Sequence, residues 1–300
     1  MISGLLVVNK TGNETSHSVV EKIRTLYGIA KAGHFGTLDP MAEGVLLVGI
    51  GKATKFFDFY IRKRKLYSGT IKLGYATSTY DREGTPLSEK KEIDLNAINL
   101  NSLLDEFTGE IKQIPPAYSA KKHKGKPLYK YARENKSVDI KPVLVSIYSL
   151  KAKVLDQDTI WFEAETSSGT YIRSLAHDIG QKLGVGAYLH TLKRLRIGEF
   201  DLSTAVPSQE LNDSLDISCF SELVTPIESL LPEFPKVIVS PAGSRSVTNG
   251  APLTPKDVLK IFPARSETHF RLFDEEGKLL AIARKDSKIR QFNPFIVFPD

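Results

Sequence analysis

The residues best suited to chemistry in this sequence stand together in Gly33-His34-Phe35-Gly36-Thr37-Leu38-Asp39-Pro40-Met41-Ala42-Glu43-Gly44. The glycines permit tight turns and close approach of a ligand to the backbone. Pro40 holds Asp39 out of the α region, in an extended or turn conformation. Apolar residues follow at once, so Asp39 is expected on a rigid loop backed by packed structure, a setting where a catalytic group belongs. The same Leu38-Asp39-Pro40 also fits an Asx-type turn, in which the carboxylate only accepts from nearby N–H groups. For the isolated tripeptide that second reading is the commoner one.

The elements that must position this loop alternate along the chain. Gly4–Asn9 reads as an apolar strand. Thr15-Ser16-His17 offers capping hydroxyls to a helix with Val19, Val20, Ile23 and Leu26 at helical spacing, ending at Gly28. Gly44–Gly51 is a buried strand and Lys65–Tyr75 a second one rich in β-formers. Thr77–Gly84 is a polar loop. Leu95–Phe107 reads as helical, and Ile114-Pro115-Pro116 interrupts regular structure. Val143–Leu155 and Thr159–Thr166 form a hairpin about Asp156-Gln157-Asp158. Thr170–Leu183 is an amphipathic helix and Tyr188–Phe200 a strand with basic residues interleaved. This is an α+β pattern on a mixed or antiparallel sheet. Ser221–Leu230 reads as helical, and Leu230–Pro235 as a proline-punctuated linker. It divides residues 1–232 from a small β-rich unit, 233–300, with strands at Lys236–Val239, His269–Asp274, Lys278–Arg284 and Phe295–Phe298.

The chain has 300 residues, 41% hydrophobic and 25% charged, enough for a sizeable core and too apolar for wholesale disorder. No apolar run reaches a bilayer span, the N-terminus lacks the pattern of a signal peptide, and the one cysteine, Cys219, excludes an intramolecular disulfide and a multi-cysteine zinc site. A cytoplasmic protein without membrane attachment is expected. The net charge is +6, but its distribution is uneven. Residues 52–72 hold seven Lys/Arg against Asp58, and residues 112–136 hold eight against Glu134. The rest of the chain is therefore acidic, and two basic stretches point to a polyanionic partner or to two solvated loops.

The Gly33–Val48 block, followed by Gly51-Lys52-Ala53-Thr54-Lys55-Phe56, closely resembles the signature of the TruB family of tRNA pseudouridine synthases. Further blocks match in order: Lys65-Leu66-Tyr67, Pro116-Ala117-Tyr118-Ser119-Ala120-Lys121, Gly125-Lys126-Pro127-Leu128-Tyr129, Ser168-Gly169-Thr170-Tyr171-Ile172-Arg173-Ser174, and Gly186-Ala187 through Leu192-Lys193-Arg194-Leu195. The match spans roughly residues 4–205. The last segment resembles the family's small PUA-like RNA-binding domain more weakly. Thr11 and Asn13 stand where the family usually has proline and glycine, and Glu43 where it has a small or hydroxyl residue. Asn13 tolerates a left-handed backbone, so the turn is expected to survive.

The resemblance implies isomerisation of a uridine in the T-loop of tRNA (position 55 in tRNA numbering), with no cofactor and no metal. It implies that Asp39 attacks the ribose or the base, or promotes departure of uracil through a glycal, and that Arg173 pairs with it. His34 would fill the space left by the flipped nucleotide, Tyr67 would stack on the uracil or relay a proton, and Tyr171 and Leu192 would line the base pocket. Lys10, Lys55, Lys121 and Lys126 are expected to contact RNA. The segment about 112–136 would be an insertion that closes over the stem-loop, mobile without RNA. Taken singly, Tyr67, Tyr171 and Leu192 are ordinary core residues and Arg173 a surface residue near a helix start. A monomer is expected. Two other readings stay open: a non-catalytic tRNA-binding or folding protein on the same scaffold, and a nucleotidyltransferase, which Gly-His-Phe-Gly-Thr resembles faintly but without that class's His-x-Gly-His pairing.

Overall fold

The computed structural model describes residues 2–134, 136, 138–286 and 291–299, with Asn96 described in its backbone only. Among these, eleven strands form one mixed sheet and five form a second, C-terminal sheet. A small hairpin, Lys122–His123 with Lys126–Pro127, belongs to neither. The fold is α+β, a mainly antiparallel sheet followed by a small β-rich, PUA-like unit.

The large sheet has two halves joined by one strand. Gly4–Lys10 and Glu43–Ile50 pair antiparallel in one half. Lys65–Leu73, Thr159–Thr166, Val143–Val154 and Gly109–Gln113 follow one another in the other. Ala187–Ile197 runs antiparallel to Lys65–Leu73 and meets Glu43–Ile50 in parallel at Lys193–Glu43 and Arg194–Gly44. Gly44 is required at this junction. It has φ +103°, and a Cβ there would lie 2.2 Å from the Arg194 carbonyl oxygen.

Local chemistry accounts for the elements that carry the loop. Thr15 caps the Ser16–Tyr27 helix in a reciprocal capping box with Ser18, and Gly28 ends it in the left-handed region. The buried face of that helix, Val19, Val20, Ile23 and Tyr27, packs on Leu6, Val8, Leu46 and Val48. Asn13 adopts φ +66°, so the turn tolerates asparagine where the family has glycine. Lys65–Leu73 alternates strictly, placing Tyr67 and Ile71 in a core shared with Leu175 and Ile179 of the Ile172–Lys182 helix.

Several expectations need correction. Leu95–Phe107 is not one helix: a short 3₁₀ turn at Leu95–Ala97 precedes an α-helix only at Leu100–Asp105, because Asn99 caps the latter through Ser102 N. The helix expected at Ser221–Leu230 lies earlier, at Ile217–Glu222, capped by Asp216. Pro226, which lacks an N–H, then sits in a short strand paired with Gly4. The C-terminal unit also holds a helix, Pro241–Thr248, and an edge strand, Val258–Phe262, that the pattern did not reveal.

The proline-punctuated linker expected at Leu230–Pro235 is packed into the core. Leu230, Leu231 and Phe234 are buried in a cluster that includes Leu5 and Leu47 from the large sheet, Phe35 and Phe56 from the segments beside it, and Phe273, Leu279, Ile282 and Phe298 from the C-terminal unit. Arg271 captures the carbonyls of Glu228, Leu230 and Phe234. Lys55 donates to Val297 O at 2.6 Å and lies over the Phe298 ring, which stacks on Phe56 at 5.2 Å. The two sheets therefore share one apolar core. Phe298 is 2% exposed within it, and Phe298→Ala is expected to lower unfolding stability by about 3–5 kcal/mol, measured by denaturant titration as one transition rather than two.

Candidate active site

Backbone carbonyl capture builds the Asp39 loop. Arg194 is 2% exposed, and its guanidinium donates to Val45 O at 2.8 Å, Gly36 O at 3.1 Å and Thr37 O at 3.4 Å. Ser16 Oγ bonds both the N–H and the carbonyl of Leu38. Pro40 O accepts from Asn13 N at 2.9 Å and from Lys10 Nζ at 3.2 Å. Asp39 O accepts from Ala42 N, closing a turn about Pro40-Met41. The carbonyls on both sides of Asp39 are thus fixed before its side chain makes any contact.

The side chain meets Arg173. Arg173 Nη2 donates to Asp39 Oδ1 at 2.9 Å and to Tyr118 O at 3.0 Å, and Nη1 faces Asp81 Oδ2 and Thr79 O, each at 3.3 Å. Arg173 is buried and Asp39 is 30% exposed. Asp39 Oδ2 has no hydrogen-bond partner among the described residues, so one carboxylate oxygen is anchored and the other is open. Desolvation by the surrounding loop pushes the Asp39 carboxyl above the usual carboxylate range. The attraction of Arg173 opposes it, the Asp81 charge reinforces it, and Arg194 opposes it again.

Asp81 was not found from the sequence, where it is one acid in a polar loop. It is buried and accepts from Thr79 Oγ1 and Glu83 N through Oδ1. Gln113 was also missed. It is fully buried and holds the Tyr171 backbone with two bonds, Tyr171 N to Oε1 at 2.7 Å and Nε2 to Tyr171 O at 3.0 Å. Those bonds fix the start of the helix that carries Arg173.

The other expected residues divide into groups. Tyr67 and Leu192 share one buried cluster with Leu38 and Met41, next to Asp39 in the chain. Burial pushes the Tyr171 hydroxyl up, and it feels both Arg173 and Asp39. His34 lies on the short strand Ala32–His34, which pairs with Glu43–Ile50. Its Nδ1 is buried without a partner among the described residues, and burial, Arg194 and His17 hold it neutral. Lys10 does not face RNA: it is 0% exposed, and its ammonium is enclosed by the carbonyls of Thr11, Glu14 and Pro40. Thr11 supplies an N–H that proline would lack, and it donates to Glu14 Oε1 at 2.9 Å. Burial alone would raise the Glu14 carboxyl, but Ser208, Thr11 and Lys10 hold it below its usual value. Glu43 is exposed at the strand start and contributes charge toward Lys10.

The first basic stretch is largely engaged within the molecule, which corrects the expectation that it faces RNA. Lys52 and Lys55 bond the carbonyls of Pro299 and Val297, Lys63 pairs with Glu233 and Glu199, and Lys72 pairs with Asp158. Lys65 is buried against the carbonyls of Ile61 and Lys63, and burial lowers it to about 8. Arg64 lies 3.7 Å over the Tyr148 ring. In the second stretch Lys126 pairs with Glu134, and Lys121 reaches Lys141 O at 3.4 Å. Lys122, Lys124 and Lys130 are exposed and have no partner among the described residues.

On the same helix as Arg173, burial raises the Asp178 carboxyl to about 6. The folded chain therefore keeps a proton there that the unfolded chain has released, and this group weakens folding as pH rises from about 4 to about 6. Asp178→Asn is expected to flatten that part of the profile and to stabilise the protein at pH 7 by about 1–2 kcal/mol after allowance for partial exposure. Thermal melts of both proteins between these pH values give the measurement.

Residues 24–172 match the model described as TruB family pseudouridylate synthase (N terminal domain), and residues 173–232 match the tRNA pseudouridylate synthase B C-terminal domain. A protein of Solibacter usitatus named tRNA pseudouridine synthase B is 43% identical over 249 residues, covering 83% of this chain and 85% of that protein. One of the same name from Syntrophotalea carbinolica is 36% identical over 290 residues, covering 97% and 94%. The fold matches a solved structure of an H/ACA RNP bound to a substrate RNA containing 2′-deoxyuridine, with TM-score 0.73 at 23% identity over 99% of this chain and 85% of that one. With an arginine-anchored aspartate at the centre of its matched blocks, the chain belongs to the TruB family of pseudouridylate synthases.

Proposed function

We propose that this protein isomerises the T-loop uridine of tRNA, at position 55 in tRNA numbering, to pseudouridine, with Asp39 as the reacting carboxylate. The relatives' shared name supports tRNA as substrate. The observation that carries the chemistry is the division of labour on Asp39: Oδ1 is held by Arg173 at 2.9 Å, and Oδ2 is open. The reaction breaks the bond from C1′ to N1, turns the uracil, forms the bond from C1′ to C5 and returns the C5 proton to N1. Atoms and electrons balance without a co-reactant. Attack at the ribose, attack at the base and glycal formation all place a carboxylate oxygen against the reacting ring, and the open Oδ2 serves each.

The uridine must leave its stack to reach Asp39, at a cost of a few kcal/mol. His34, neutral and with a free buried Nδ1, occupies the vacated space. Tyr67 stacks on the extruded base, while Tyr171 and Leu192 line its pocket. Arg173 keeps its grip on Oδ1 while charge moves on the carboxylate, so the nucleophile does not swing away. The insertion binds the stem-loop through its unpaired lysines, and Tyr118 O ties its first residues to Arg173. The chain acts as a monomer.

Asp39→Asn is expected to abolish pseudouridine formation in a T-arm stem-loop RNA while binding changes less than about threefold, since the amide keeps the hydrogen bond and loses the nucleophile. Near-normal turnover in this variant defeats the assignment. In binding titrations the logarithm of affinity is expected to fall linearly with the logarithm of salt concentration. Removing Lys122 or Lys124 should lower that slope by about 1 each. Removing Lys52 should leave the slope unchanged.

A further inference from the structure

Tyr80 lies between the two residues that hold Arg173 Nη1, Thr79 and Asp81. Its φ is +64°, a backbone conformation an aromatic residue seldom adopts without compensation. The turn is what aims the Thr79 carbonyl and the Asp81 carboxylate at the same nitrogen. Backbone bonds secure its far side: Tyr80 O accepts from Leu189 N and Arg82 N donates to Leu189 O, both at 3.0 Å. On the near side the restraint is a ring. Tyr80 stacks face to face on His177, with centroids 3.8 Å apart and planes 12° from parallel. His177 is one helical turn after Arg173, on the same helix. Loop and helix therefore meet at two adjacent points, ion pair and stack.

His177 has no role in the reading above, and its Nδ1 is buried without a hydrogen bond among the described residues. A buried, unsatisfied ring nitrogen is a cost that the stack must offset. We propose that His177 is a positioning residue for the reaction. By stacking on Tyr80 it stabilises the left-handed turn that seats Thr79 O and Asp81 on Arg173, and through Arg173 it fixes the anchored oxygen of Asp39. This rests on Asp39 being the reacting group. The imidazole acts here as a flat surface, not as an acid or base, so another flat ring can replace it.

Steady-state kinetics on a T-arm stem-loop RNA test this. His177→Ala is expected to lower kcat about tenfold with KM within twofold. His177→Phe should restore kcat and melt above the parent, because it keeps the stack and removes the orphan nitrogen. Asp81→Asn should itself lower kcat, and adding His177→Ala to it should slow the enzyme no further, since both act through Arg173. If His177→Ala does not fold, Tyr80→Ala, which removes the stack from the other side and leaves the left-handed turn without compensation, is expected to show the same tenfold loss. A kcat for His177→Ala or Tyr80→Ala within twofold of the parent overturns the proposal. So does failure of the phenylalanine to rescue, or a double variant slowed by the full product of the single effects. These outcomes are separate from the Asp39 assignment, which fails only if Asp39→Asn stays active.

Discussion

A buried guanidinium with no salt-bridge partner among the described residues holds the Asp39 loop of this structure. Arg194 bonds three carbonyls, Gly36, Thr37 and Val45, and sits where the two halves of the large sheet meet. A buried cation without a counter-charge is tolerated only when its donors are satisfied, and carbonyls in a turning loop are an available source of acceptors. The dependence is mutual. Arg194 needs those carbonyls, and the loop needs a donor that converges on several at once. Gly44 lets the two backbones touch, and Lys10 repeats the device on the other flank through Pro40 O. The result is a loop whose carbonyls bond Arg194 and Lys10, while the Asp39 carboxylate is left to Arg173.

Arg173 completes the site from the opposite half of the sheet. It stands in the first turn of its helix, where the dipole disfavours a cation, and two carboxylates and two carbonyls offset that. Asp39 stands on the loop that leads into Glu43–Ile50 in one half and Arg173 on the helix packed against Lys65–Leu73 in the other, so their 2.9 Å contact spans the central junction. Gln113, Ser16 and Asp81 each fix a different part of this geometry, and none needs to touch a substrate.

Asp39 and Arg173 were readable because each lies in a run of residues whose types are individually restricted: glycines beside a Leu-Asp-Pro, and Gly-Thr-Tyr-Ile-Arg before an amphipathic helix. Asp81 and Gln113 were not, because a single polar residue in a loop or at a strand end looks the same whether it faces water or a buried arginine. The boundaries of the Ser16–Tyr27 helix and of the long hairpin followed from capping residues and alternation. The helix expected to run to Leu230 failed at Pro226, a local signal that the apolar spacing obscured. The basic stretch at residues 52–72 misled for a different reason. Counting charge records what a segment carries, not what folds against it, and here Glu233, Glu199, Asp158 and distant carbonyls approach from elsewhere in the chain. Lys10 is the same lesson at one residue: its burial depends on Pro40 O, 30 residues away.

The contact between Lys55 and Val297 joins residues 242 apart in the chain. Phe35, within the block that carries Asp39, shares its buried cluster with Phe298. Packing beneath the Asp39 loop therefore closes only after nearly the whole described chain has been gathered. Contacts of such sequence separation form late, since the entropy of closing a long loop precedes any gain. A nascent chain can build the Ser16–Tyr27 helix and the first strand pair early, but it carries an exposed apolar face until the C-terminal sheet arrives. A chain that stops before the C-terminal sheet therefore retains Asp39 and Arg173 and lacks the apolar surface that shares a buried cluster with Phe35.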